Sequence, residues 1–224
     1  MDIRKIDKNF ASVGSFEGLV PYDIEQPPFQ LYGLCRAPGE RDYKRIPKTV
    51  AEKTGSPMVQ ALYTNTAGIR LRFRTDSLRI GLTCVLPGLQ LPPHNSRSGK
   101  ICFDLYADGH YCNTFLPGLE SPEEDLGGGG YRAMHTFVEK KEREILVHFP
   151  LYNNVTKVYI ALEDGASVRP SQGYAHPLPV VYYGSSITQG GCASHAGNSY
   201  QAIISRRLNM DYINLGFSGG CREN

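Results

Sequence analysis

From Ala67 onward the chain alternates apolar and polar positions with the period of two that belongs to half-buried strands. Ile69, Leu71 and Phe73 fall on one face of such a strand, and Arg70, Arg72 and Arg74 on the other. This places the apolar side chains inward and the three arginines outward. The same period runs through 78–85, 101–106, 111–115, 144–149 and 157–162, each segment bounded by Gly, Pro, Asn or Asp nearby. Six short alternating strands separated by turn signals predict a mostly β fold, an antiparallel sandwich of jelly-roll-like character. Residues 1–66 are rich in turn formers, such as Pro27-Pro28 and Gly55-Ser-Pro57, and read as an arm and loops with short edge strands. Residues 165–179, with prolines at 170, 177 and 179, read as a linker.

The pattern changes at Val180. Val180-Val-Tyr-Tyr is a continuous apolar run that breaks into Gly184-Ser-Ser, as a buried parallel strand does when it ends in a turn. Ser199–Leu208 reads as a helix with Tyr200, Ile203, Ile204 and Leu208 on one face, capped by Asn198 or Ser199 and leaving at Asn209. Ile213-Asn-Leu-Gly-Phe-Ser-Gly219 then repeats the strand-to-glycine-turn pattern. Together these make one right-handed βαβ unit, with both turns at the carboxyl edge, where α/β sheets hold their ligands. The expected organisation is an arm and β-sandwich over 1–178, then the start of an α/β domain over 179–224.

Two blocks in this last segment resemble SGNH (GDSL-type) hydrolases. Gly184-Ser185-Ser186-Ile187-Thr188 is similar to their first block, and the resemblance makes Ser186 the nucleophile. Asn214-Leu-Gly-Phe-Ser-Gly219 is similar to their second block and implies that the Gly219 N–H lines an oxyanion hole. Upstream, Phe103-Asp104-Leu105-Tyr106 resembles the Gly-x-Asp-Leu-Tyr signature of a β-sandwich module that precedes some of these hydrolases, with Cys102 in the glycine's place. The reaction implied is acyl transfer to Ser186 followed by hydrolysis, on an acylated carbohydrate or another small ester. The family also carries a third-block Asn and a final Asp-x-x-His, and no Asp-x-x-His occurs in these 224 residues. A serine hydroxyl without an adjacent base is a poor nucleophile. The expectation is therefore a hydrolase site that is catalytically incomplete in this chain. The alternative is a non-catalytic glycan-binding sandwich with a vestigial or cut-off hydrolase stub.

Other residues carry less. His195 is the sole histidine after Ser186 and has no carboxylate near it in sequence, so it reads as a solvated loop residue. Asp104 and Tyr106 share one strand face and read as shaping the sandwich. Gly127–Gly130 lack the lysine of a phosphate loop and read as a loop of the sandwich. Six cysteines include no C-x-x-C pair, so no metal site and no cofactor is expected. A two-residue hairpin turn at Asp108-Gly109 would set Cys102 across from Phe115 and Cys112 across from Leu105, on opposite faces, and predicts free thiols. The formal net charge of +2 gives no footprint for nucleic acid, and no stretch is apolar enough to suggest a membrane partner. Met1–Lys8 lacks the apolar core of a signal peptide, which predicts a cytoplasmic protein, or a secreted one whose leader has been removed. The 180–224 segment, built to be covered on both faces, is expected to dock on the sandwich, self-associate or fray.

Overall fold

A computed structural model describes residues 17–36, 40, 42–87, 96–117, 129–176 and 178–220. The fold is mostly β. One sheet has the order β1 (Leu19–Asp23), β9 (Lys157–Glu163), β4 (Arg79–Val85), β7 (Gly130–Thr136), with every pair antiparallel. The second has the order β10 (Val168–Arg169), β3 (Arg70–Thr75), β8 (Arg143–His148), β5 (Phe103–Ala107), β6 (His110–Phe115), with β2 (Gln30–Tyr32) also on β3. Both sheets feed one core, in which Ile80, Leu82 and Ile160 meet Leu71, Phe73, Leu105 and Val147. The predicted alternation holds for these side chains, all of them fully buried.

Several local expectations are corrected. Residues 17–66 contain, besides β1 and β2, two short helices, α1 (Lys48–Lys53) and α2 (Pro57–Leu62), the latter capped by the Ser56 hydroxyl. A third, α3 (Arg97–Ile101), precedes β5, so that strand starts at Phe103 rather than at 101. Strand β7 was not predicted, because Tyr-Arg-Ala-Met-His-Thr lacks apolar alternation. Gly130 opens it, while Gly127 and Gly128 lie outside the described residues. The Asp108-Gly109 turn forms, but a bulge at Leu105/Tyr106 shifts the register beyond it. Phe115 therefore pairs with Phe103 and Leu105 with Asn113, and Cys102 caps α3 outside the ladder. Cys35, Cys84, Cys102, Cys112 and Cys192 are free thiols; Cys221 lies outside the described residues.

The C-terminal segment is docked. Strand β11 (Val180–Gly184) pairs in parallel with β12 (Tyr212–Gly216), joined through α4 (Ser186–Gln189), a 3₁₀ turn (Ala196–Asn198) and α5 (Tyr200–Leu208). This is the predicted βαβ unit, and α5 ends as expected with Asn209 in the left-handed region. The predicted outward face of β3 is not a free surface, because this segment and residues 170–176 lie on it. Arg70 is 0% exposed and Arg72 is 7% exposed; Arg74 alone of the three stays partly open.

A polar row crosses the outer face of the second sheet. Arg70 on β3 pairs in register with His148 on β8, which pairs with Asp104 on β5, which pairs with Thr114 on β6. Three members of this row each reach a different part of the C-terminal segment. Arg70 donates to the Asp211 carboxylate and to the Tyr212 carbonyl, and its guanidinium stacks 3.8 Å from the Tyr212 ring. His148 Nε2 lies 3.2 Å from the Arg206 guanidinium, which itself sits 4.1 Å over the Tyr106 ring. Asp104 takes the loop between α4 and α5. Three of these row residues are ionisable and all are buried, so each needs the partner it has.

His148 gives this docking a pH signature. Burial, with Arg206, Arg70 and His195 around it, holds the imidazole well below the ordinary histidine range, so it stays neutral and accepts from Arg206. In the unfolded chain the same group takes a proton near ~6.5. Below that pH the unfolded state binds more protons than the folded one, so stability falls as pH falls. Thermal unfolding followed from neutral pH down through the histidine range is expected to show a declining melting temperature. In His148→Gln, whose amide oxygen can accept the same hydrogen bond, the decline over this range is expected to be shallower. Equal slopes in the two proteins would contradict a neutral, buried His148.

Candidate active site

The parallel register sets the two predicted blocks side by side. Gly184 pairs with Gly216, so the Ser185-Ser186 turn and the Phe217–Gly220 turn leave the same carboxyl edge. The Phe217 N–H donates to the Gly184 carbonyl at 2.9 Å and ties the turns together. Ser186 is the first residue of α4, half-buried, after Ser185 at φ −95° and ψ −141°, outside both the helical and the extended regions. Its carbonyl accepts from the Gly190 and Gly191 N–H groups at 3.1 and 2.6 Å and from the Tyr152 hydroxyl at 3.2 Å. Its own hydroxyl has no hydrogen-bond partner among the described residues. Gly219 is exposed, in the turn that Gly220 closes by donating to Phe217, and its φ of +71° is a backbone geometry that favours glycine.

Close approach of α4 to the strands explains two further glycines. A Cβ on Gly216 would stand 2.1 Å from the Gln189 nitrogen, and one on Gly184 would stand 2.2 Å from the Thr188 hydroxyl. Only residues without a side chain let α4 sit across the strand ends. Buried amides then fix it there. The Asn214 side chain donates to the Thr188 carbonyl at 2.8 Å and accepts from Gly216 N–H. Gln189, fully buried, donates to Leu151 and Asn65 and accepts from Ser218 N–H at 2.8 Å. The serine turn and the glycine turn are thus held by one glutamine.

Arg45 reaches the same place from the N-terminal part of the chain. It is 0% exposed and donates to the carbonyls of Asn65, Leu62 and Gly216, with its guanidinium 4.3 Å from the Phe217 ring. Burial, without a carboxylate beside it, pulls this group down to about 9, still charged at neutral pH. Sequence reading found nothing at Arg45; an arginine beside Lys44 in a turn-rich stretch carries no signal of where it folds.

His195 is the main correction at this site. It is not a solvated loop histidine without an orienter: its Nδ1 lies 2.5 Å from Asp104 Oδ2, and its side chain is only 20% exposed. The same oxygen accepts from Gly197 N–H at 2.5 Å, and Oδ1 accepts from the Thr114 hydroxyl at 2.7 Å. Asp104, 0% exposed, thus reaches past its sheet to hold the loop that follows the candidate nucleophile, rather than only shaping the sheets. Ser96 and Ser98 hold the same loop through the Ser194 carbonyl, at 2.8 and 2.5 Å. Among the described residues no cluster of His, Cys, Asp and Glu has the geometry to bind a metal, and no helix is long and apolar enough to cross a membrane.

Comparison with known proteins gives matches to both parts of the chain. Residues 21–168 match GxDLY, the N-terminus of SGNH hydrolase-type esterases, and residues 178–224 match the GDSL-like lipase/acylhydrolase family. A crystal structure from Bacteroides ovatus described as a GDSL-like lipase is 28% identical, with a TM-score of 0.77 over 90% of this chain and 57% of its own. The salicylyl-acyltransferase SsfX3 of a tetracycline biosynthetic pathway is similar at 18% identity, TM-score 0.68, covering 91% of this chain and 55% of its own. A family two carbohydrate esterase from Cellvibrio japonicus shares the fold at 12% identity and TM-score 0.55, covering 89% and 52%. No match was found among curated proteins. The chain spans little more than half the length of the structures it resembles. Its first 168 residues carry the GxDLY module, with Asp104-Leu105-Tyr106 on β5, and the chain belongs to the family of SGNH hydrolase-type esterases that this module defines.

Proposed function

We propose that this chain belongs to an ester hydrolase in which Ser186 is the nucleophile and the N–H groups of Ser186 and Gly219 hold the tetrahedral oxyanion. The observation that carries the reading is the pairing of Gly184 with Gly216, which sets the serine turn and the glycine turn on one strand edge. Backbone N–H groups fixed near a nucleophile are what developing oxyanion charge requires. The buried Gln189 and Asn214 supply that fixing, so little reorganisation is left for the moment of reaction. An acylated carbohydrate is the proposed substrate class, the class named by the Cellvibrio japonicus relative of the same fold.

His195 is assigned to docking rather than to proton transfer. Its Asp104 partner lies in the β module and also binds Gly197, which fits a fastener for the loop. No Asp-x-x-His occurs in these 224 residues, and a missing general base typically costs ~10²–10⁴-fold in rate. The 224 residues alone are therefore expected to hydrolyse small acyl esters negligibly and to react slowly with a serine-directed fluorophosphonate. A longer chain that supplies the histidine is expected to label strongly, at Ser186, and Ser186→Ala to abolish the labelling. Fast labelling of the 224 residues that is lost in His195→Ala would overturn the docking assignment and make His195 the base. Labelling of the longer chain that survives Ser186→Ala would overturn the nucleophile.

A further inference from the structure

A cleft of about 450 Å³ opens where the β5–β6 hairpin meets the C-terminal segment. The hairpin contributes Tyr106, His110 and Tyr111, and the segment contributes Asn198, Arg206 and Arg207. None of its residues makes the contacts that fix the serine and glycine turns, and none enters the chemistry proposed above.

Its lining combines cations with exposed aromatic surface, without a counter-charge. Tyr111 is 51% exposed, its ring 5.6 Å from Tyr106 and 5.1 Å from His195, its hydroxyl bonded to Thr114. These contacts fix the ring while leaving half its surface open. Arg206 spends one nitrogen on His148 and one face on Tyr106, and has donors to spare, since a guanidinium carries five N–H groups. Arg207 is exposed. Neither arginine has a carboxylate partner among the described residues. The carboxylates nearest in sequence to the hairpin side of the cleft are committed elsewhere. Asp104 is buried on His195 and Gly197, and Asp108 accepts from the Glu144 N–H.

We infer that this cleft binds an acidic sugar residue, a pyranose bearing a carboxylate, with the carboxylate on Arg206 and Arg207 and the ring against Tyr111. A guanidinium matches a carboxylate with paired, charge-assisted hydrogen bonds, and a fixed tyrosine offers an amphipathic face at low entropic cost. The carboxylate requirement stands on the two arginines alone; the sugar rests on the proposed carbohydrate-ester reading. In that reading the β module gives the enzyme a second hold on an acidic, acylated polysaccharide, made by the seam between module and hydrolase segment.

Titration of the 224-residue chain with trigalacturonate, followed by calorimetry or by amide chemical shifts, tests this, with neutral cellotriose as the control. Binding of the acidic trimer, and not the neutral one, is expected, with shifts confined to 106–111 and 198–207. Arg207→Ala changes an exposed side chain and Tyr111→Ala a half-exposed one, and an unchanged amide spectrum away from the cleft checks that each variant is folded. Each is expected to weaken binding about tenfold, the loss of one charge-assisted or stacking contact. Arg206 is left intact because it also packs on Tyr106 and His148. Equal affinity for cellotriose, affinity unchanged in both variants, or no binding of trigalacturonate would overturn the inference. The readout does not involve Ser186, so failure of labelling at Ser186 strikes the hydrolase reading, while selective binding of the acidic trimer is decided by the titration alone.

Discussion

The arrangement of this protein depends on a row of buried polar side chains crossing the outer face of one sheet. Arg70, His148 and Asp104 sit on adjacent strands in register and each is at most 2% exposed. On a solvent-facing sheet they would be ordinary surface residues. Covered, each would be costly without a partner, because a buried charge or unpaired donor carries a desolvation penalty of several kcal/mol. The C-terminal segment provides the partners: Asp211 for Arg70, Arg206 for His148, and His195 with the Gly197 N–H for Asp104. Burial and pairing are thus mutually dependent. The segment covers the row, and the row fixes where the segment lies.

The same dependence explains how the candidate site is shaped. A single parallel strand pair has little core of its own, and Val181 and Tyr183 remain exposed at 56% and 76%. What the pair lacks in apolar burial is offset by polar anchoring from the β module. Arg45 donates to the Gly216 carbonyl, Gln189 bridges Leu151 to Ser218, and Tyr152 bonds the Ser186 carbonyl. The β module is therefore part of the apparatus that positions the serine turn. A hydrogen-bonded frame of this kind is directional, which suits the proposed site, in which the serine and the Gly219 turn would keep a fixed relation.

How much of this was legible in the sequence follows from the range of the interactions. The strands at 70–75, 79–85 and 157–163 were readable because alternation is local and the core wants one face of each. The βαβ unit was readable from an apolar run, a helix and two glycine turns, but the face of α5 that is buried is Gln201, Ala202 and Ser205, while Tyr200 and Leu208 of the apolar stripe stay exposed. The row was not readable as a row. Alternation assigns Arg70 and Arg72 to an outer face, and only the tertiary structure says that this face is covered. His195 looked unpartnered for the same reason, since its carboxylate lies 91 positions upstream on another strand. One hint was present: an aspartate inside the Phe-Asp-Leu-Tyr strand segment is a poor strand former, and such a residue in a strand asks for a partner. Strand β7 and the three short helices were missed because their patterns are too brief or too polar to show a period.

The claim that the β module positions the loop after Ser186 through Asp104 is most directly tested by a double-mutant cycle on Asp104 and His195. Urea unfolding of the parent, Asp104→Ala, His195→Ala and the double variant gives the coupling between them. A hydrogen-bonded pair with a buried aspartate predicts a coupling of about 1–3 kcal/mol, with Asp104→Ala the more costly single change because it also removes the acceptor of the Gly197 N–H and leaves the Thr114 hydroxyl with Tyr111 alone. Strictly additive single changes would mean that the contact between Asp104 and His195 carries no weight, and that the loop after Ser186 is held without the β module's aspartate.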